Sequence, residues 1–243
     1  MPKLSGAEVS QYRQDGYYIF GKPLFQAGKF QRLKVIFEEL LEARGPDDLD
    51  VPHFAEPRLL EFLLDEGVLD LVECILGPDF GLWSSHFISK TAQTGKKTPW
   101  HEDSAYWEGR FDRYDSIVTI WLAIDPATRE NGCMRVVPGS HLQGGFSHYE
   151  QMEEPTDMIF TREIPRVDES RAVYLELEPN HCSLHDCRII HGARANTSDT
   201  RRTGYTMRYF SQHQKLNSSH PHNLNHRIWH CRGNNLHGKP VVN

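Results

Sequence analysis

The sequence predicts an α+β protein in which helices come first and a β-sandwich or barrel follows. Three observations predict it. Apolar residues recur at helical spacing before Pro78, short β-rich runs separated by turns take over beyond it, and no Pro/Gly/Ser-rich linker or internal repeat divides the 243 residues. With 38% apolar and 25% charged residues the chain can build a sizeable core. Residues 1–243 therefore read as one domain: a helical third over 1–78, a β core over about 79–212 and a tail over about 213–243.

Ser5-Gly6-Ala7-Glu8 fits a capping box, in which a Ser side chain and a Glu three residues on satisfy each other's free backbone donors, and Gly16 ends the helix that follows. After the apolar run Tyr17–Phe20, the segment Phe25–Arg44 places Phe30, Leu33, Phe37, Leu40 and Leu41 on one helical face, stopped by Gly45-Pro46. A third helical segment runs from Pro57 to Leu76, with a break expected at Gly67. Strands are expected over Gly81–Lys90, Ser116–Ile124, Cys133–Val137, Arg171–Leu177, Cys182–Ile190 and Gly204–Phe210. His141–Asp168 is long, polar and acidic at Glu150, Glu153 and Glu154, which suits a loop or lid. Six of the 14 histidines fall between His213 and His237 without clean ligand spacing and read as a polar surface tail.

Bulk charge narrows the function. A net charge of −6 gives no basic footprint for nucleic acid or an anionic membrane, and no stretch is apolar over the length of a spanning helix. Small molecules are the expected partners. The five cysteines are odd in number and form no CxxC, so they read as reduced thiols, and the start MPKLSGAEV has neither a signal core nor an Arg-rich transit pattern. A cytoplasmic location follows as the plain expectation. The sequence sets no oligomeric state.

Within TPWHEDSAYW, His101 and Asp103 are separated by one residue, a spacing that on a strand aims both at one face while Glu102 turns away. A distant His191, closing a β-rich run before Gly192, supplies a third donor. Two histidines and a carboxylate on one face of an octahedron leave positions open, the arrangement of non-haem Fe(II) oxygenases. HxD alone recurs by chance, with a surface Asp–His hydrogen bond as its ordinary meaning. Arg202 adds a second observation. It lies eleven residues after His191 on a run where Arg202, Gly204, Thr206 and Arg208 share a face, and its fork matches a carboxylate bidentately. A ligand chelating the metal at one end and clamped by Arg202 at the other has the shape of 2-oxoglutarate. His185 shares parity with His191, but six extended residues span about 20 Å, so it reads as a structural histidine.

From Thr98 to Phe210 the chain resembles the phytanoyl-CoA dioxygenase family of Fe(II)/2-oxoglutarate oxygenases, through WHED, WLAIDPATRENGCMRVVPGSH and LHDCRIIHGARANTSDTRRTGYTMRYF, and EVSQYRQDGYYIF resembles that family's usual opening. The resemblance implies a double-stranded β-helix (a jelly-roll, cupin-like core) with the N-terminal helices packed on its sheet. It implies Fe(II) on His101, Asp103 and His191, 2-oxoglutarate clamped by Arg202 with Trp121 and Lys90 in its pocket, dioxygen as cosubstrate, and hydroxylation of an unactivated C–H bond with release of succinate and carbon dioxide. Two departures stand out: HED where many relatives read HQD, and Ala193 where they carry a serine after His191-Gly192.

The substrate is less defined. Tyr106 and Trp107 follow the first two ligands, and Arg135 and Arg194 flank the motifs at the mouth, so a small polar metabolite, anionic or zwitterionic, is expected beneath the 141–168 segment. A catalytically silent binding or sensing protein on the same scaffold is the alternative. A zinc hydrolase on the same three residues is a third, though it would have no need of Arg202.

Overall fold

The computed structural model describes residues 3–145, 147–152 and 161–242. The capping box forms: Ser5 N–H donates to Glu8 Oε2 at 2.6 Å and Glu8 N–H to Ser5 Oγ at 3.4 Å, opening helix α1, Gly6–Asp15. Gly16 ends it at φ 79, a left-handed turn open to glycine. Strand β1 is Tyr17–Phe20 and helix α2 is Ala27–Arg44. The third helical segment breaks earlier than Gly67. A short helix α3, Leu60–Leu63, stops, and Asp65 caps a new helix α4, Glu66–Leu76, by accepting from the N–H groups of Gly67 and Val68. Asp before Glu is the N-terminal signal that decides the boundary.

Beyond Pro78 the strands are β2 (Phe80–Lys90), β3 (Thr98–His101), then helical turn α5 (Asp103–Tyr106), β4 (Ile117–Ala123) and β5 (Met134–Val136). They continue as β6 (Glu150–Gln151), β7 (Arg162–Glu163), β8 (Val173–Leu175), β9 (Cys182–Asp186), β10 (His191–Ala193), β11 (Arg202–Ser211) and β12 (Trp229–Arg232). A six-stranded sheet, β1-β9-β4-β11-β2-β12, faces a four-stranded one, β3-β10-β5-β8, and all their pairings are antiparallel. This is the jelly-roll core.

Strand alternation divides the larger sheet. Val118, Ile120 and Leu122 of β4, with Tyr205, Met207 and Tyr209 of β11, join Leu33, Phe37, Val68 and Leu71 of the helices in one buried cluster. Each such side chain contributes roughly 1.5–3 kcal/mol on burial, which fixes the helices to the outer face. Trp121 of β4 and Arg202, Thr206 and Arg208 of β11 point the other way, into the space between the sheets. One extra residue interrupts the alternation in β2: Ser84 pairs with Arg208 and Leu82 with Tyr209, so Trp83 is a bulge that turns inward beside Ser84.

Two further expectations change. The tail folds back: β12 adds to the edge of the large sheet next to β2, with Trp229 buried, because Ile228 and Trp229 carry apolar surface that a solvent tail would leave exposed. The 141–168 segment contains a two-stranded ribbon, Glu150 and Gln151 paired with Glu163 and Arg162. Residues 146 and 153–160 of that expected lid lie outside the described residues.

Candidate metal centre and cosubstrate cavity

His101 and His191 are brought together by strand pairing: β3 and β10 run antiparallel with His101 opposite His191, and the two rings lie 4.1 Å apart. Each Nδ1 is 2.8–2.9 Å from a carbonyl, that of Pro99 for His101 and that of Ile189 for His191. A carbonyl only accepts, so each Nδ1 carries the proton and each Nε2 presents a lone pair. Both Nε2 atoms are 3.8 Å from the same Asp103 Oδ1. Ligand atoms of His101, Asp103 and His191 all fall within 4.8 Å of one another, the one such three-residue group among the described residues.

Asp103 arrives differently from the sequence expectation. β3 ends at His101, and Asp103 is the first residue of α5, so it converges on the histidines through the start of a helical turn and not through strand alternation. Glu102 does turn away. Its carboxylate accepts from Ser147 Oγ at 2.6 Å and Ser147 N–H at 3.1 Å, and its own N–H donates to Tyr149 Oη at 2.8 Å. This departure from HQD therefore anchors the start of the 141–168 segment and keeps its charge away from the cavity.

Burial pulls His101 and His191 down, so both imidazoles are neutral, the form that binds a metal. Burial alone would raise Asp103, but Arg208, His185 and the two ligand histidines outweigh it and hold the carboxylate well below its usual range. Its other oxygen, Oδ2, lies 3.5 Å from Arg208 Nε and 3.9 Å from His185 Nε2. A charged carboxylate and two neutral imidazoles with fixed tautomers are a donor set that fits a divalent iron.

These residues line a cavity of about 490 Å³ between the sheets. Arg202 lines it too, 2% exposed, with no carboxylate within 4.0 Å among the described residues and its Nε buried without a hydrogen-bond partner. Its guanidinium lies 4.8 Å from the centre of the Trp121 ring. A buried, unneutralised arginine costs free energy unless an anion completes it. Gly204 makes room for that pair: a Cβ there would fall 1.9 Å from Trp121 Cζ2. Gly204→Ala is expected to cost roughly 1–3 kcal/mol by overpacking, measured by denaturant unfolding, whereas Gly28→Ala, with open space around it, should cost nothing.

Tyr106 and Trp107 line the cavity as expected, with Tyr106 edge-on to His101 at 5.6 Å. Lys90 does not. It sits opposite Arg202 across β2 and β11, and its Nζ donates to the Lys96 and Arg194 carbonyls behind the clamp. Arg135 and Arg194 are also off the cavity wall. Arg135 pairs with Glu169 at 2.6 Å and stacks on Trp100, because its partner Gly192 places it on the outer face of the small sheet, and Arg194 is 61% exposed. His185 corrects a distance: β9 ends at Asp186 and the chain turns back through Cys187–Ile190, so the His185 and His191 rings are 5.2 Å apart where an extended chain would separate them by about 20 Å. Sequence reasoning missed Trp83, His86, Arg110 and His226 on the wall; the bulge turns Trp83 inward and the returning tail brings in His226.

The profile of the family described as Phytanoyl-CoA dioxygenase (PhyH) matches residues 4–204. The chain belongs to the phytanoyl-CoA dioxygenase family. The peroxisomal phytanoyl-CoA dioxygenase of Bos taurus is 34% identical to this family member over 136 residues, 54% of this chain and 40% of its own. The chain spans between 39% and 75% of the length of curated relatives of this kind. Among solved structures, the non-heme monooxygenase ThoJ superposes with TM-score 0.79 at 23% identity, over 96% of this chain and 87% of its own. EvdO2 of Micromonospora carbonacea var. aurantiaca, complexed with 2-oxoglutarate, gives 0.72 at 24% identity over 90% of this chain and 96% of its own. Both share the fold. No helix among the described residues is long and apolar enough to cross a membrane.

Proposed function

We propose that this family member is an Fe(II)- and 2-oxoglutarate-dependent dioxygenase that hydroxylates an unactivated C–H bond of a small metabolite, releasing succinate and carbon dioxide. One observation carries the reading: two neutral imidazoles and a charged carboxylate converge in the same cavity as a buried arginine that lacks an acid. Hydrolysis would use the first feature and have no need of the second.

His101, Asp103 and His191 would hold the iron, and Arg202 would receive the far carboxylate of 2-oxoglutarate over the face of Trp121. When bound, ferrous iron supplies dioxygen activation and couples it to oxidative decarboxylation of the cosubstrate. The chain's own work is orientation. The Pro99 and Ile189 carbonyls fix the imidazole tautomers, and Arg208 and His185 hold Asp103 by its second oxygen, leaving Oδ1 toward the histidines. Lys90, tied to two carbonyls, holds the chain at Lys96 and Arg194 behind Arg202. Tyr106 and Trp107 give the substrate an apolar wall and limit the water that reaches it.

Chelated protein re-supplied with Fe(II) should consume 2-oxoglutarate and form succinate, with Zn(II) unable to replace it. Succinate formation that ignores chelation and iron would defeat the reading. Tight iron and cosubstrate binding with no turnover across a broad substrate panel would point to a silent binding module.

A further inference from the structure

Among the described residues three arginines line the cavity: Arg202, Arg208 and Arg110. Arg208 is matched by Asp103, and Arg202 by the cosubstrate under the function proposed above. Arg110 has no such account. Its guanidinium lies over Trp83, 4.3 Å from the ring centre, with Nε donating to Asn223 Oδ1 at 2.7 Å and Nη2 to the His222 carbonyl at 2.9 Å. Those acceptors are neutral, and no carboxylate lies within 4.0 Å among the described residues. Elsewhere the chain matches buried and half-buried arginines with acids: Arg201 with Glu38 and Asp125, Arg188 with Asp186, Arg135 with Glu169. Arg110 shares with Arg202 the signature of a held cation awaiting an anion.

The surroundings agree. Asp50 lines the same cavity and attracts Arg110 at longer range, but its side chain is 69% exposed, lies 3.7 Å from His86 and makes no ion pair with Arg110 within 4.0 Å. Burial pulls His86 and His226 down to about 4, so these two are neutral at pH 7, and Arg110 is the permanent cation at this end. The end is distinct from the clamp, since Arg202 and Arg208 are six residues apart on β11, about 20 Å of extended strand. The adjoining wall is aromatic: Trp83 and Trp107 in edge-to-face contact, then Tyr106.

We propose that Arg110 is the substrate-specificity residue of this cavity, reading a carboxylate on a substrate whose apolar part lies against Trp107 and Tyr106. The inference rests on the oxygenase reading, in which the Arg202 end is taken by 2-oxoglutarate. It moves the anion site away from Arg135 and Arg194. The planar fork, stacked and hydrogen-bonded on two sides, gives up little freedom on binding.

The test pairs small acids with their primary amides, 3-phenylpropanoate with 3-phenylpropanamide and octanoate with octanamide, on protein holding Fe(II) and 2-oxoglutarate. Titration calorimetry under nitrogen reads binding without turnover, and succinate formation in air reads coupling. Acids should bind at least about tenfold more tightly than their amides, as expected for a charge-assisted hydrogen bond. Arg110→Gln should bring the ratio near one, and Arg110→Lys should restore part of it. The acid-against-amide comparison in the unmodified protein needs no variant, so a poorly folding Arg110→Gln leaves the test intact. Absence of binding by any acid, equal binding of amides, or a preference that survives Arg110→Gln overturns the proposal. Failure of the oxygenase reading looks different: 2-oxoglutarate itself, titrated without any panel compound, would not bind the iron-loaded protein.

Discussion

Alanine at His101, Asp103 or His191 is expected to abolish iron-dependent 2-oxoglutarate consumption. Each removes one of three donors from a group whose ligand atoms span 4.8 Å, and the two that remain cannot define a face. Iron affinity should fall by more than the roughly 10–100-fold that loss of an outer partner costs. Metal titration separates this from simple unfolding. Asp103→Ala carries a further penalty that the histidine variants lack, since it strips Arg208, whose side chain is 10% exposed, of its carboxylate. Breaking a buried pair typically costs roughly 3–5 kcal/mol, so the metal-free Asp103 variant should melt well below the His101 variant. A His191→Ala protein with normal iron-dependent turnover would refute the ligand assignment.

Arg202→Ala should weaken 2-oxoglutarate by roughly 2–5 kcal/mol while leaving iron affinity nearly unchanged, because under the proposed function the guanidinium would meet only the far carboxylate. Burial draws Arg202 down to about 10, which still leaves it charged at neutral pH. Its neighbour is the control. Arg201 reaches the opposite face of β11, where it pairs with Asp125 at 2.8 Å and with Glu38. Arg201→Ala should therefore alter stability modestly and 2-oxoglutarate affinity little. Calorimetric titration of both variants decides it, and a large loss at Arg201 with none at Arg202 would place the clamp on the wrong face.

How much of this was legible beforehand depends on whether a residue's place is set by its own strand. The inward position of Arg202 was, because period-2 alternation along Arg202, Gly204, Thr206 and Arg208 survives intact in β11. The helical third was legible for the same reason of local pattern, down to the Ser5–Glu8 cap. Asp103 was named for a geometry it does not have: strand parity and a helical turn both bring it to the histidines, and sequence does not distinguish them. The distance of His185 was misjudged because a turn after Asp186 folds the chain back, although its exclusion from the three-residue group holds, and Arg110 was invisible because its partners, Asn223 and Trp83, come from the returning tail and from a bulge. Long-range pairing decides such positions, and one chain's periodicity carries no record of it.

The bulge at Trp83 has a consequence for how this fold can change over time. Either side of it the pleat is undisturbed, with Leu82 on the helix side and Ser84, His86 and Ile88 on the inner side. Losing the extra residue would leave every other side chain of β2 facing as it does now, so the aromatic contribution is detachable from the strand that bears it. Two inheritances thus share one segment: the face that holds the helices is locked by its pairing, and the cavity face can gain or shed a bulky group by a single-codon insertion or deletion, an event that in an unbulged strand would turn the flanking core residues toward the wrong layer.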